Sequence, residues 1–184
     1  MTHASARQTD GLHIVLVQPE IAPNTGNIIR LCANTGSSLH LVEPLGFRME
    51  QADLVRAGLD YHELADVMVH PNLHDVRSLL PGRWFAFTSS AHRMYTDVAF
   101  EADDVAVFGP ERSGLGADVL ASLPDDRRLH IPMQAGNRSL NLANAVAVVT
   151  YEAWRQADFA GAGGQPAPGH GITSELPGSM PFDI

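Results

Sequence analysis

Cysteine is rare and lysine is absent in this sequence of 184 residues. Cys32 is the one cysteine, so no disulfide can form within the chain and no cysteine-based zinc cluster can be built. Such cysteine usage is typical of the reducing cytoplasm, where we expect the protein to reside. Because a phosphate-binding P-loop requires a lysine, that class of nucleotide-binding site is excluded.

Long hydrophobic runs are also missing. No window approaches 18 uninterrupted apolar residues, so we expect no membrane span and no membrane partner. The first ten residues contain no apolar core of the kind that a signal peptide needs. The net charge of −9 argues against non-specific binding of nucleic acid through bulk charge. However, all 12 basic residues are arginine, which pairs with phosphate in a planar, bidentate way, so a local arginine-lined site stays open.

Apolar strand-like runs alternate with helix-like segments along most of the chain. This pattern predicts an α/β fold with a mainly parallel sheet and flanking helices. The predicted strands are residues 12–17, 39–42, 67–69, 84–87, 105–108 and 128–131, and the predicted helices are 24–35, 50–57, 73–80, 118–123 and 139–156. Residues 91–104 read as a loop. We predict a flexible arm at 1–11, a single domain at 12–157 and a flexible tail rich in glycine and proline at 158–184.

Helix ends carry recognisable signals. Asn24 or Thr25 is a candidate N-cap of the first helix, and Gly36 stands where a left-handed residue ends a helix. Ser139 or Asn141 is a candidate N-cap of the last helix. That helix is apolar nearly all round, which predicts burial in a core or against a second subunit.

Three predicted strands end in polar or glycine-containing segments. These are Phe87-Thr88, Gly109-Pro110-Glu111 and Ile131-Pro132-Met133, and ligands of parallel α/β sheets bind beyond the carboxyl ends of strands. The loop before the last helix adds polar side chains at a helix N-terminus, which favours anions and polar ligands. Ordinary strand–loop–helix packing without a ligand is the alternative interpretation.

Several other kinds of site do not fit. No G-x-G-x-x-G follows the first strand, so a dinucleotide-binding fold is not indicated. The nine histidines are scattered without a sensible ligand spacing, and no metal is expected. Ser139 lacks the nucleophile elbow of a serine hydrolase.

Three ordered motifs resemble those of the SpoU-type (SPOUT) RNA 2′-O-methyltransferases. The first is Asn24–Gly36, NTGNIIRLCANTG; the second is Phe108–Glu111 with Gly114-Leu115; the third is Ile131–Met133 with Arg138–Leu142 and Asn144-Ala145. The segments 56–63 and 151–155 are similar to the TrmL/YibK subfamily, the tRNA (cytidine/uridine-34-2′-O)-methyltransferases. The resemblance covers roughly residues 12–157. Motif two has the sequence ERSG, where relatives more often have ETRG. The loop 134–137 also differs from the sequence usual in relatives. These differences leave substrate preference open.

The resemblance implies a fold, a cofactor and a set of site residues. It implies a C-terminal deep trefoil knot, a homodimer packed partly through the last helix, and S-adenosylmethionine as methyl donor, with S-adenosylhomocysteine as product. By the family's motifs, the cofactor contacts fall on Phe87, Gly109, Ile131, Met133, Ser139 and Leu140. The catalytic candidates are Arg30, Asn24, Glu111, Ser139 and Asn141. The candidate contacts with tRNA are Arg30, His62, Arg138 and Tyr151, with a role in the dimer as the alternative for His62 and Tyr151, and the RNA element would be the anticodon stem-loop.

Arg30 matches the key arginine of the first motif. The resemblance assigns it to orienting the ribose 2′-hydroxyl and the neighbouring phosphate. A role as the base is open but chemically awkward, because an arginine side chain ordinarily has a pKa above about 12. Deprotonation assisted by phosphate is the competing mechanism.

The acidic composition requires an explanation if the substrate is tRNA. We predict that six arginines gather on one face formed across the dimer: Arg30, Arg48, Arg56, Arg93, Arg138 and Arg155. Two other functions remain open: methylation of another tRNA or rRNA position, and a catalytically silent dimer that binds S-adenosylmethionine or RNA.

Overall fold

The computed structural model describes residues 11–48, 67–137 and 139–163. Seven strands in these segments form one sheet in the order β3-β2-β1-β6-β4-β7-β5, and all neighbouring strands are parallel. The strands are β1 (His13–Val17), β2 (Ser38–Val42), β3 (Val67–His70), β4 (Trp84–Phe87), β5 (Arg93–Met94), β6 (Val105–Phe108) and β7 (Arg128–His130). The α-helices are α1 (Ala22–Thr35), α2 (Leu73–Leu79), α3 (Ala117–Ala121) and α4 (Leu142–Gln156). The prediction of an α/β fold with a parallel sheet and flanking helices is confirmed.

The central strands are apolar on both faces because helices cover both sides of the sheet. Alternate residues of β1 enter different cores: Ile14 and Leu16 pack with α1 and α4, while Val15 packs with α2 and the region around α3. Burying each such aliphatic side chain contributes about 1.5–3 kcal/mol to folding. The continuous apolar run that predicted a strand buried on both faces is thereby explained.

Helix α1 begins earlier than its sequence signals indicate. It starts at Ala22 with Pro23 in the first turn, where a missing backbone N–H costs nothing. The prediction that Asn24 or Thr25 caps this helix is wrong, because both lie inside its first turn and are buried. The helix ends as predicted, with Gly36 in the left-handed region at φ 70°.

Helix α4 begins three residues after Ser139, and Asn141 is its N-cap. The Asn141 Oδ1 accepts hydrogen bonds from the backbone N–H groups of Ala143 at 2.9 Å and Asn144 at 3.4 Å. The predicted apolar face packs into the core through Leu142 and residues one, two and three turns further along. The prediction is therefore confirmed for one of the two candidate caps.

The segment 91–104, predicted as a loop, contains the short strand β5 and a 3-10 turn at Tyr95–Asp97. A two-residue strand has no periodicity from which it could be predicted. Arg93 holds it in place, since its guanidinium donates to the carbonyls of Asp126 at 2.7 Å and Asp97 at 2.8 Å.

Strand β7 lies between β4 and β5, although β4 and β5 come first in the chain and are joined by only a few residues. Phe87 of β4 and Arg93 of β5 are both aligned with Leu129 of β7. The connection between them, residues 88–92, therefore runs from one side of β7 to the other.

A chain of histidines crosses one half of the sheet. The Nδ1 of His13 hydrogen-bonds to the hydroxyl of Ser38. The Ser38 Oγ lies 3.4 Å from the Nε2 of His40, and the His40 Nδ1 lies 3.0 Å from the Nε2 of His70. Burial, reinforced by the two neighbouring histidines, lowers the pKa of His40 to about 3. Burial also lowers the pKa of His13, against the opposing effect of Asp103, and that of His70. These histidines therefore act as neutral hydrogen-bonding groups of the core.

Some predictions fall outside the described residues. They concern the helix at 50–57, the first ten residues of the arm, and residues 164–184 of the tail. Near the start of the predicted tail, Phe159 packs edge-on against Trp154, and the Trp154 indole donates to the Ala160 carbonyl at 2.9 Å. The domain boundaries remain predictions.

Candidate functional site

A cleft of about 470 Å³ opens at the carboxyl ends of β4, β6 and β7. These three strands are adjacent in the sheet, so the strand ends singled out in the sequence meet at one place. All six predicted cofactor residues line the cleft: Phe87, Gly109, Ile131, Met133, Ser139 and Leu140. Asn24, Glu111 and Asn141 line it as well. The roles of these residues remain predictions, but their proximity is a structural fact.

The floor of the cleft is aromatic. The rings of Phe87 and Phe108 stack with centroids 4.7 Å apart and an interplanar angle of 11°. Both side chains belong to the buried core, so these strand ends are fixed by packing. The backbone after each ring is thereby held rigidly at the cleft.

One wall of the cleft is the loop after β6, residues 109–115. Its two ends nearly touch, because a β-carbon on Gly109 would lie 2.3 Å from the backbone of Gly114 and of Leu115. The Gly114 N–H closes the turn with a 2.9 Å bond to the carbonyl of Pro110. The glycine at 109 is therefore required by close backbone approach.

The carboxylate of Glu111 is held by three N–H donors. They are the backbone N–H groups of Glu20 at 2.7 Å and Ile21 at 3.2 Å, and the side-chain amide of Asn24 at 3.0 Å. Hydrogen bonds to a charged acceptor are about twice as strong as neutral ones. Glu111 therefore connects the loop after β6 to the start of α1.

Asn24 continues this connection to the opposite wall. Its Oδ1 accepts a 2.9 Å hydrogen bond from the side-chain amide of Asn141, the N-cap of α4. A single hydrogen-bond chain thus runs from Glu111 through Asn24 to Asn141, and joins segments distant in sequence. It fixes the start of α1, the start of α4 and the loop 109–115 relative to one another.

The cleft combines an apolar floor with a small number of polar groups. Its volume lies in the range of about 300–1,000 Å³ that is usual for small-molecule sites. Ile21, Ser113 and Ala145 also line it, and none of them was predicted as a site residue. Only their position relative to the motifs could have indicated them, since Ile21 precedes motif one, Ser113 lies within motif two and Ala145 belongs to motif three.

The other candidates lie elsewhere. Arg30 is exposed on α1, about 9 Å along the helix axis from Asn24, and is not part of the cleft wall of a single chain. Tyr151 is exposed on α4 with its ring edge-on to Trp154, at a centroid distance of 5.7 Å. His62 and Arg138 lie outside the described residues.

The predicted arginine face is only partly within the described part of the chain. Arg93 is committed to two backbone carbonyls, and Arg155 pairs with Glu152 at 2.8 Å on the last turn of α4. That turn lies at the opposite end of α4 from the cleft. Arg56 is not described, and a face formed across two chains stays a prediction.

Within residues 11–48, 67–137 and 139–163, no group of three or more histidine, cysteine or acidic side chains is arranged to hold a metal ion. None of the helices in that same part of the chain is long and apolar enough to cross a membrane.

Known proteins are similar to this chain over most of its length. The model of the SpoU rRNA methylase family matches residues 11–151. A tRNA (cytidine(34)-2′-O)-methyltransferase of Methylovorus glucosotrophus (strain SIP3-4) is 55% identical over 150 residues, which cover 81% of this chain and 97% of the relative. Among solved structures, a putative RNA methyltransferase from Bacillus anthracis superposes with a TM-score of 0.76 at 41% identity, and covers 82% of this chain and 97% of the other. A structure concerned with the 2-OH methylation of C/U34 on tRNA gives a TM-score of 0.74 at 44% identity, with coverage of 80% and 97%. The chain belongs to the SpoU rRNA methylase family.

Proposed function

We propose that this protein is an enzyme that methylates the ribose 2′-hydroxyl of the wobble nucleotide of tRNA, position 34, where that nucleotide is cytidine or a uridine derivative. The observation that carries the proposal is the meeting of all three motifs at one cleft, in a chain 55% identical to a relative named for this reaction. An enzyme with a tRNA substrate is expected in the cytoplasm.

The cleft fits S-adenosylmethionine as the methyl donor. Its volume suits a small molecule. The close approach of Gly109 to the backbone of Gly114 and Leu115 gives one wall a compact shape. Phe87, Gly109 and Ile131 would contribute mainly backbone contacts, with Met133, Ser139 and Leu140 closing the other side. When bound, S-adenosylmethionine supplies a methyl group already activated on a sulfonium.

The residues of the chain then have two tasks: positioning the acceptor and easing the loss of its proton. Arg30 is assigned to orienting the 2′-hydroxyl and its neighbouring phosphate, with either Arg30 or that phosphate assisting proton removal. Arg30 lies outside the cleft wall of a single chain. Either the bound RNA must therefore extend from the cleft to Arg30, or Arg30 of a second chain must reach the cleft. Asn24, Glu111 and Asn141 hold the cleft in shape, while Ser139 stands at its wall. Arg138 is proposed to contact the anticodon stem-loop, and His62 and Tyr151 to contact either that RNA element or the second subunit.

We further propose a trefoil knot and a homodimer. The placement of β7 between β4 and β5, two strands that only a short segment joins, supports a threaded backbone. Val148 and Tyr151 of α4 are 37% and 47% exposed in a single chain, which supports a second subunit at that helix. Sedimentation equilibrium should give twice the chain mass, and Val148→Glu should shift it toward the monomer.

A second candidate keeps the chemistry and changes the RNA. The family model is named for rRNA methylation, so another tRNA position or rRNA is the alternative target. A catalytically silent dimer that binds S-adenosylmethionine or RNA is the non-enzymatic alternative.

The deciding experiment is transfer of labelled methyl groups from S-adenosylmethionine to unmodified bulk tRNA, followed by mapping of the modified nucleotide. We expect a 2′-O-methyl group at position 34. Label at another position would retain the chemistry and correct the target. Binding of S-adenosylhomocysteine without transfer to tRNA or rRNA would favour the silent dimer.

A further inference from the structure

Two loops at the edge of the cleft exchange hydrogen bonds in both directions. The backbone N–H of Glu20 donates to the carboxylate of Glu111 at 2.7 Å. In return, the backbone N–H of Arg112 donates to the carboxylate of Glu20 at 3.1 Å. Each loop therefore supplies one carboxylate and one backbone donor to the other. Glu111 belongs to the family motif, whereas Glu20 has been assigned no role.

The Glu20 side of this exchange acts on the outer part of the cleft wall, whereas Glu111 anchors the same loop one residue earlier. Arg112 and Ser113 form the outer part of the loop after β6, and both line the cleft. The internal bond from Gly114 to Pro110 closes the turn but does not tie it to the rest of the protein. The Glu111 carboxylate provides one such tie, and the Glu20 carboxylate provides a second at Arg112.

The backbone of Glu20 is itself held in place by another loop. The loop after β2 packs directly on it, since a β-carbon on Gly46 would lie 2.7 Å from the Glu20 Cα and 2.8 Å from its carbonyl oxygen. The Gly46 N–H also donates to the carbonyl of Pro19 at 2.9 Å. The backbone of Glu20 is thus fixed between β2 and the start of α1, so its side chain can restrain the more exposed loop.

We infer that Glu20 is a positioning residue for the methyl donor: its carboxylate holds the Arg112 amide and so sets the loop 109–115 in the shape that binds S-adenosylmethionine. Glu20 does not line the cleft and acts through the loop. This inference rests on the proposed function, because it concerns the ligand of the same cleft. It predicts an effect on donor affinity that exceeds any effect on folding or on tRNA binding.

The test compares Glu20→Ala with Glu20→Gln by calorimetric titration of the full chain with S-adenosylhomocysteine. Loss of one hydrogen bond to a charged acceptor predicts about 10-fold weaker binding for Glu20→Ala. Glu20→Gln keeps an acceptor oxygen at the same reach and should bind within about 3-fold of the wild type. Asp118→Ala removes the same charge from exposed helix α3 and serves as the control, with unchanged affinity expected.

Kinetics separate positioning from a general structural role. Glu20→Ala should raise KM for S-adenosylmethionine about as much as it weakens binding, while kcat and KM for tRNA stay near wild type. If Glu20→Ala does not fold, Glu20→Asp, one methylene shorter, should show the same weakening.

The outcomes are distinct. Wild-type affinity in Glu20→Ala, or in Glu20→Asp where that variant replaces it, overturns the inference and leaves the proposed function standing. Glu20→Gln as weak as Glu20→Ala also overturns it, since the acceptor oxygen would then not be what matters. Absence of binding by the wild-type protein would remove the proposed cofactor, and the inference with it.

Discussion

Replacement of Asn24 by alanine would break the hydrogen-bond chain that joins the two walls of the cleft. Asn24 is 6% exposed, and its side chain lies at the cleft wall between the carboxylate of Glu111 and the side-chain amide of Asn141. The change removes one of the three donors to the Glu111 carboxylate and leaves the side-chain amide of Asn141 without its acceptor.

The magnitude follows from the two bonds. A hydrogen bond to a charged group is worth roughly 1.5–3 kcal/mol and a neutral one about 1 kcal/mol. Alanine is a better helix former than asparagine by roughly 0.5 kcal/mol, which offsets part of the loss. We therefore expect a decrease of about 2–3.5 kcal/mol in the free energy of unfolding.

Urea denaturation at a fixed protein concentration would measure this change. Asn27→Ala on the exposed side of the same helix is the matched control, and its effect should stay within about 0.5 kcal/mol. Asn24→Asp keeps the shape but places a second carboxylate against Glu111, so it should destabilise further at neutral pH and recover on acidification. An Asn24→Ala variant as stable as Asn27→Ala would refute the view that this chain holds the cleft together.

Three further predictions concern the loop, the buried histidines and the reaction. Gly109→Ala should abolish binding of S-adenosylhomocysteine, because the new β-carbon would lie 2.3 Å from backbone atoms; Gly116→Ala, with nothing within 4 Å, should bind normally by the same titration. The pKa of His40 is about 3 in the folded state against an ordinary 6.5, so its stabilising effect is complete above about pH 6.5 and is lost as the pH falls from there toward 3. The melting temperature should therefore fall with pH over this window, and His40→Leu should reduce that slope while the exposed control His74→Gln preserves it. Arg30→Ala should abolish methyl transfer while the circular dichroism spectrum and the mass of the assembly stay unchanged, and full activity in this variant would remove Arg30 from the mechanism. Arg30→Lys keeps the positive charge without the guanidinium, so it tests which of the two the reaction needs.

The sequence carries most of the fold at the level of its elements. Strands such as β4 and β6 coincide with continuous apolar runs, because a strand buried on both faces has no polar positions. Asn141 was identifiable as a cap, since its side chain bonds to residues that follow it directly. The start of α1 was misplaced, because Pro23 is as compatible with a first helical turn as with a loop.

The candidate site was predictable in composition but not in its internal contacts. Motif residues and the rule on strand ends brought Phe87, Gly109 and Ile131 together correctly. The reciprocal bonds between Glu20 and the loop after β6 span 91 and 92 residues of sequence, and no local pattern records them.

The sequence alone therefore determined the local features of this protein: its apolar runs, its helix ends and the motifs of its family. Those features depend on interactions between residues close in the chain, or on the chemical type of a residue at its position. The tertiary structure alone decided that β7 lies between β4 and β5, and that Asn24 links Glu111 to Asn141. Such relations depend on how distant segments pack, because the direction of a side chain toward a remote partner is fixed only when the intervening core has formed.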